Sequence, residues 1–136
     1  MNLMSMKIKE KGATVIEFAI LLPVFIMLIM GAIEIGWALY VQHALVDAAR
    51  VGARIAVTQQ VSEESIRTDV IEYIQNSSIN GTPTITFMPS PVSEQSSGSL
   101  ITVTIDLPFN SATILPTPLF LQDKILSAQS SMAKEY

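Results

Sequence analysis

The sequence predicts an α+β protein. A long N-terminal transmembrane helix continues into a soluble stem, and a small head follows with one further helix and a three-stranded antiparallel sheet. Three observations support this fold class: an apolar run from Ala13 to Val41, apolar residues at helical spacing beyond it, and three later segments with the pattern of strands. We divide the chain into a basic leader (1–12), a transmembrane helix (13–41), a soluble continuation of that helix (42–60) and the head domain (61–136).

Composition excludes several kinds of chemistry. The 136 residues include no cysteine and one histidine, and the net charge is −4. A lone His43 cannot supply a metal cage, and the acidic balance argues against nucleic-acid binding. Glu63 and Glu64 fit a solvated helix face rather than a catalytic pair. We therefore expect no enzyme, no metal, no cofactor and no small-molecule substrate.

The leader gives the membrane segment its orientation. Lys7, Lys9 and Lys11 stand against Glu10 before the apolar run, and few basic residues follow it closely. Positive charge favours the cytoplasmic side, so we expect the N-terminus inside and the head outside. The run from Ala13 to Val41 would form a helix about 43 Å long, against a hydrocarbon layer of about 30 Å.

Trp37 and Tyr40 lie where an outer aromatic belt is expected.

A cleaved secretory signal is the competing interpretation of the apolar run from Ala13 to Val41. Its apolar core usually has about 7 to 15 residues, and no small-residue cleavage site directly follows the run here. The alanines from Ala44 to Ala49 fall within a helical pattern. We therefore favour a membrane-spanning helix.

Three residues within the apolar run, two acids and a proline, are unusual for a membrane-spanning helix. Glu17 needs a partner in lipid, or a place among the headgroups as a first-turn acid. Glu34, near the outer end, is expected at the membrane interface or against a basic side chain of a partner subunit. Pro23 removes the hydrogen bond to the Ala19 carbonyl and predicts a kink, which acts either as a hinge or as a static bend.

Beyond the membrane the helix is expected to continue to about Thr58. Asp47 and Arg50 form an i, i+3 pair, and Arg54 shares a face with Arg50. The apolar stripe is predicted from residues that recur at helical spacing: Leu39, His43, Val46, Ala49 and Ala53.

The elements of the head are predicted from a helix-capping serine and from strands with alternating apolar residues. Ser62 and the acids after it predict a second helix that runs to about Gln75, before the turn at Asn80–Gly81. The predicted strands are Thr84–Met88, Leu100–Leu107 and a third within Asp123–Ala133. Loops rich in serine and proline separate them.

The string from Lys11 to Phe18 resembles the processing site of type IVb prepilins. In that family a prepilin peptidase cuts after a glycine that follows basic residues, and the mature chain has glutamate and an aromatic residue at its fifth and sixth positions. The resemblance implies cleavage between Gly12 and Ala13, with Glu17 and Phe18 as the processing and assembly motif. It also implies that the Ala13 amine and the Glu17 carboxylate pair between neighbouring subunits.

Further motifs resemble TadE-like proteins, which are minor pilins or pseudopilins of the tight-adherence (Tad, or Flp) pilus system. The membrane-helix motifs are Glu17–Pro23 and Gly31–Gly36, the latter with Glu34. The post-membrane motif is Ala48–Arg54, which includes Ala49, Arg50, Gly52 and Arg54.

This resemblance implies a single-pass protein of the bacterial inner membrane that takes part in pilus assembly through helix packing; association with the pilus itself stays open. The implied partners are the prepilin peptidase, other pilins or pseudopilins with their assembly machinery, and membrane lipid. One alternative is an unprocessed, membrane-anchored extracytoplasmic binding module. Another, least favoured, is a secreted enzyme.

Overall fold

The computed structural model describes the backbone of residues 3–59 and 61–135, and the side chains of residues 13–59 and 61–135. The helices are α1 (Leu3–Thr58), α2 (Glu63–Asn76) and the short α3 (Phe109–Ala112). The strands are β1 (Thr84–Met88), β2 (Leu100–Pro108) and β3 (Ile125–Ala133), with one 3₁₀ turn at Val92–Glu94. The predicted α+β class, with its long helix, second helix and three-stranded antiparallel sheet, is confirmed.

The chain forms two compact units, residues 1–33 and 34–136. Helix α1 is assigned without interruption across Pro23, so the kink stays a prediction. It ends at Thr58 as expected, where the Thr58 hydroxyl donates to the Arg54 carbonyl at 2.7 Å. Helix α1 begins at Leu3, before the predicted start at about Ala13, because the lysines, methionines and glutamate of residues 3–12 favour helix. The side chains of the predicted leader, Lys7, Lys9 and Lys11 among them, lie outside the described residues.

Helix α2 begins at the predicted cap. The Ser62 hydroxyl accepts from the Ser65 amide at 3.3 Å, which satisfies one of the amides that a helix start leaves without a partner. Its buried face consists of Ile66, Val70 and Ile74. The chain then bends through Gly81, whose φ of +105° favours glycine.

The sheet has the order β1-β2-β3, with both pairs antiparallel. Ile85 lies opposite Ile105 and Phe87 opposite Val103. Strand β2 alternates strictly, with Ile101, Val103, Ile105 and Leu107 buried. One face of the sheet is therefore buried in the core, and the other is rich in threonine and serine.

The half of α1 beyond Glu34 packs into the core of the second unit, on a face that differs from the predicted one. Leu39 is 57% exposed and His43 is exposed, so the predicted stripe is wrong at these positions. The buried positions are Val41, Leu45, Ala48, Ala49, Ala53, Ala56 and Val57. Ala49 and Ala53 belong to both stripes. His43 lies on the exposed side of the helix with Asp47, Arg50 and Arg54, and the side opposite this polar face packs against the sheet and α2.

Candidate functional site

The first unit is a helical segment of exposed apolar side chains. From Val15 to Ile29 its large apolar residues are between 42% and 68% exposed. Within the described residues, one stretch of helix is long and apolar enough to cross a membrane, and it lies within Ala13–Thr58 of α1. Apolar exposure on this scale is consistent with anchoring in a membrane.

The predicted processing and assembly residues lie at the start of this segment. Glu17 is exposed, and Phe18 is 62% exposed. Gly12 belongs to the backbone of α1, while its surroundings, like all side-chain detail before Ala13, lie outside the described residues. The predicted cut after Gly12 and the pairing of Glu17 with a neighbour's amine stay predictions.

Glu34 is fully buried in the second unit and bound by three consecutive backbone amides. Its Oε2 accepts from the Leu119 amide at 2.9 Å, and its Oε1 accepts from the amides of Phe120 at 2.9 Å and Leu121 at 2.6 Å. Successive N–H groups that converge in this way form a nest for an anion. A carboxylate can leave water only when such donors replace its hydration.

The structure gives Glu34 partners within its own chain, where a basic side chain of a partner subunit was one expectation; its expected position at the membrane interface stays a prediction. The chain supplies the partner itself, from a loop 85 residues further along the sequence. The loop is punctuated by Pro116 and Pro118 and carries no signal of a carboxylate-binding turn. Sequence reasoning could find the unusual glutamate, but it could not find the amides that hold it.

Three more side chains of α1 attach the helix to the head. The Trp37 indole donates to the Ala112 carbonyl at 2.7 Å, the Tyr40 hydroxyl to the Ser77 carbonyl at 2.9 Å, and the Gln42 amide to the Ser127 carbonyl at 2.7 Å. The acceptors lie at the end of α3, just after α2 and in β3. The two aromatic residues predicted for a membrane belt therefore also fix the helix against the rest of the second unit.

The post-membrane motif forms the tightest part of this packing. A Cβ added at Gly52 would lie 2.9 Å from Val70 Cγ2 on α2 and 3.4 Å from Val103 Cγ1 on β2. Ala49, next to it on the buried stripe, is also fully covered. Small residues let α1 approach α2 and the sheet closely. Ala49 and Gly52 thus have a packing role within this chain.

The two arginines of the motif point away from this contact. Arg50 and Arg54 are exposed, and Arg50 donates to Asp47 at 3.0 Å in the predicted i, i+3 pair. An exposed pair of this kind contributes little to stability. The arginines remain available on the surface of the stem.

Two basic residues of the head have roles that the sequence did not indicate. Lys134 is 7% exposed, and its ammonium donates to the carbonyls of Val92 at 2.9 Å and Ser93 at 3.2 Å. The Arg67 guanidinium lies 5.0 Å from the centre of the Phe87 ring and donates to the Ile85 carbonyl. Both residues join parts of the head that are distant in sequence.

The described residues contain no group of three or more His, Asp and Glu side chains that could hold a metal. His43 lies exposed on α1.

Comparison with known proteins supports the resemblance seen in the motifs. Residues 12–54 match the family model of TadE-like proteins. No curated protein and no solved structure matches the chain. The family match covers the predicted transmembrane helix and the post-membrane motif, and the head from residue 61 lies beyond it.

Proposed function

From the TadE-like segment at residues 12–54, we propose that this protein is a minor pilin or pseudopilin that takes part in assembly of a Tad (Flp) type IVb pilus. The observation that carries the proposal is this family match, which begins at Gly12, the residue that precedes the predicted cut. The exposed apolar segment after Ala13 is the second support, since an assembly subunit needs a helix that other helices can cover.

The proposed topology is a single pass through the bacterial inner membrane. The lysines of the leader stay in the cytoplasm, and the unit from Glu34 onward lies outside. A prepilin peptidase removes residues 1–12, which leaves Ala13 as the new N-terminus. The protein is a substrate of that peptidase and not itself an enzyme.

Assembly in this proposal occurs through packing of α1, from residue 13 to about 58, with other pilins or pseudopilins. The buried stripe of the stem is already covered by the head, so the segment 13–33 and the exposed face with Arg50 and Arg54 remain for partners. The amine of Ala13 pairs with Glu17 of a neighbour. This lowers the free energy needed to keep both charges in lipid and sets the axial register of the subunits.

The alternative is a membrane-anchored extracytoplasmic binding module that keeps its leader. The two functions differ in what they require of the N-terminal residues. An anchor tolerates replacement of Gly12 and Glu17 as long as the helix stays apolar, whereas a processed pilin does not.

The experiment is the intact mass and N-terminal sequence of the full chain, produced with and without a prepilin peptidase. We expect a start at Ala13 only when the peptidase is present. Gly12→Val should abolish the cut, and Gly36→Val is the matched control, because Gly36 lies in the same helix with no atom within 4 Å of an added Cβ. A start at Met1 in the presence of active peptidase would establish the anchor instead, and a start beyond about Ala44 would identify a secretory signal.

Glu17→Ala separates processing from assembly. We expect normal cleavage of this variant and loss of pilus assembly, with Glu17→Asp as the control that keeps a carboxylate at the same position. Normal assembly by the Glu17 variant would refute the pairing with Ala13.

A further inference from the structure

The structure holds a loop that is uncharged over most of its length against the first turns of α1 in the second unit. This loop, residues 113–124, has no charged side chain before Asp123. Glu34 binds its amides from Leu119 to Leu121, and Trp37 binds the carbonyl of Ala112, directly before it. The loop is thus attached twice within one helical turn.

The same loop exposes large apolar side chains. Ile114, Leu119 and Phe120 are between 51% and 59% exposed, although the backbone amides of Leu119 and Phe120 are engaged by a buried carboxylate. On α1, Ile35 and Leu39 are also more than half exposed. A set of apolar residues without charge indicates contact with an apolar environment rather than with water.

The length of the apolar part of α1 indicates that this environment is the outer face of a membrane. Because the second unit begins at Glu34, we take the membrane span as residues 13–33 in place of the predicted 13–41. A helix of that length is about 31 Å long, which matches the hydrocarbon thickness of about 30 Å. Glu34 is the next residue in the chain, so the turns from Glu34 to Trp37 fall in the headgroup layer, which adds roughly 5 to 7 Å on each side. The loop attached there must lie at the same depth.

We propose that loop 113–124 is a membrane-contacting element, whose side chains at Ile114, Leu119 and Phe120 enter the outer face of the bilayer. The Glu34 carboxylate positions the loop by holding its backbone, which leaves the apolar side chains directed outward to lipid. The head is then fixed on the membrane surface by two elements, the helix and the loop. This inference rests on the proposed membrane anchoring of residues 13–33.

The test uses single-cysteine variants of the full chain, which has no native cysteine. Phe120→Cys and Ile114→Cys report on the loop. Ile26→Cys reports on the spanning helix, and Ser97→Cys, exposed in the loop between β1 and β2, is the aqueous control. Each is labelled with the environment-sensitive fluorophore NBD in vesicles of phosphatidylcholine and phosphatidylglycerol. Lipids with a nitroxide near the headgroup or deep in the acyl chain serve as quenchers.

We expect blue-shifted emission at Phe120 and Ile114 that the shallow nitroxide quenches, deep quenching at Ile26 and none at Ser97. Quenching at Ile26 without quenching at either loop site would overturn the loop proposal and leave the anchoring intact. No quenching at Ile26 would instead refute the anchoring. Loop labels shielded from aqueous iodide but not quenched by lipid nitroxides would show that protein covers the loop, which also overturns the proposal.

Discussion

Gly52→Ala tests whether the post-membrane motif acts through close packing of α1 against the head. The added Cβ would meet Val70 Cγ2 at 2.9 Å and Val103 Cγ1 at 3.4 Å. Real Cβ atoms essentially never approach other atoms as closely as the first of these distances. Both neighbours are β-branched side chains in a close-packed core, so relief requires a shift of the helix or of χ1.

The expected magnitude combines two opposed effects. Overpacking in a core lowers the free energy of unfolding by about 1–3 kcal/mol. Alanine in place of glycine within a helix returns roughly 0.8–1.0 kcal/mol. We therefore expect Gly52→Ala to destabilise the protein by about 1 kcal/mol. Gly36→Ala has no such neighbour and should show only the gain in helix propensity.

The assay is urea unfolding of the full chain in detergent, followed by fluorescence of the single tryptophan, Trp37, which is hydrogen-bonded to the head. Val70→Ala removes the methyl group that clashes, and alone it should lower stability by roughly 2 kcal/mol. In the double variant the two losses should not add, because the added Cβ then occupies space that Val70 vacates. Additive losses, within about 0.5 kcal/mol, would refute the packing argument.

Three further predictions concern the second unit. Glu34→Gln should speed hydrogen exchange at the amides of residues 119–121, because one carbonyl oxygen cannot accept from all three; unchanged exchange there would contradict the nest. Gly81→Ala should lower the thermal midpoint, since φ is +105° and the new Cβ would lie 2.6 Å from Ser111 Oγ, whereas unchanged stability would mean that the turn rearranges freely. Lys134→Met should lower the free energy of unfolding by about 1–3 kcal/mol, because two carbonyls lose their donor; a neutral result in urea unfolding would show that water replaces it.

Local patterns were sufficient for most of the secondary structure. Ser62 with the acids after it predicted the start of α2, and strict alternation predicted β2, because capping and period-two burial depend on neighbouring residues. The stripe of α1 was predicted on the wrong residues at Leu39 and His43. The exposed side of that half has polar residues at helical spacing, namely His43, Asp47, Arg50 and Arg54, so the sequence held a signal for the covered face that the predicted stripe missed.

The sequence by itself determined the long apolar segment, the order of α1, α2 and the three strands, and the residues that resemble the TadE-like motifs, because each follows from a run or a short-range spacing. Only the tertiary structure decided what Glu34, Trp37 and Gly52 contact. Their partners lie in the loop before β3, at the end of α3, on α2 and in β2. Contacts between segments so distant along the chain depend on how the sheet and the helices pack in three dimensions. Local sequence patterns do not indicate which distant segments come into contact.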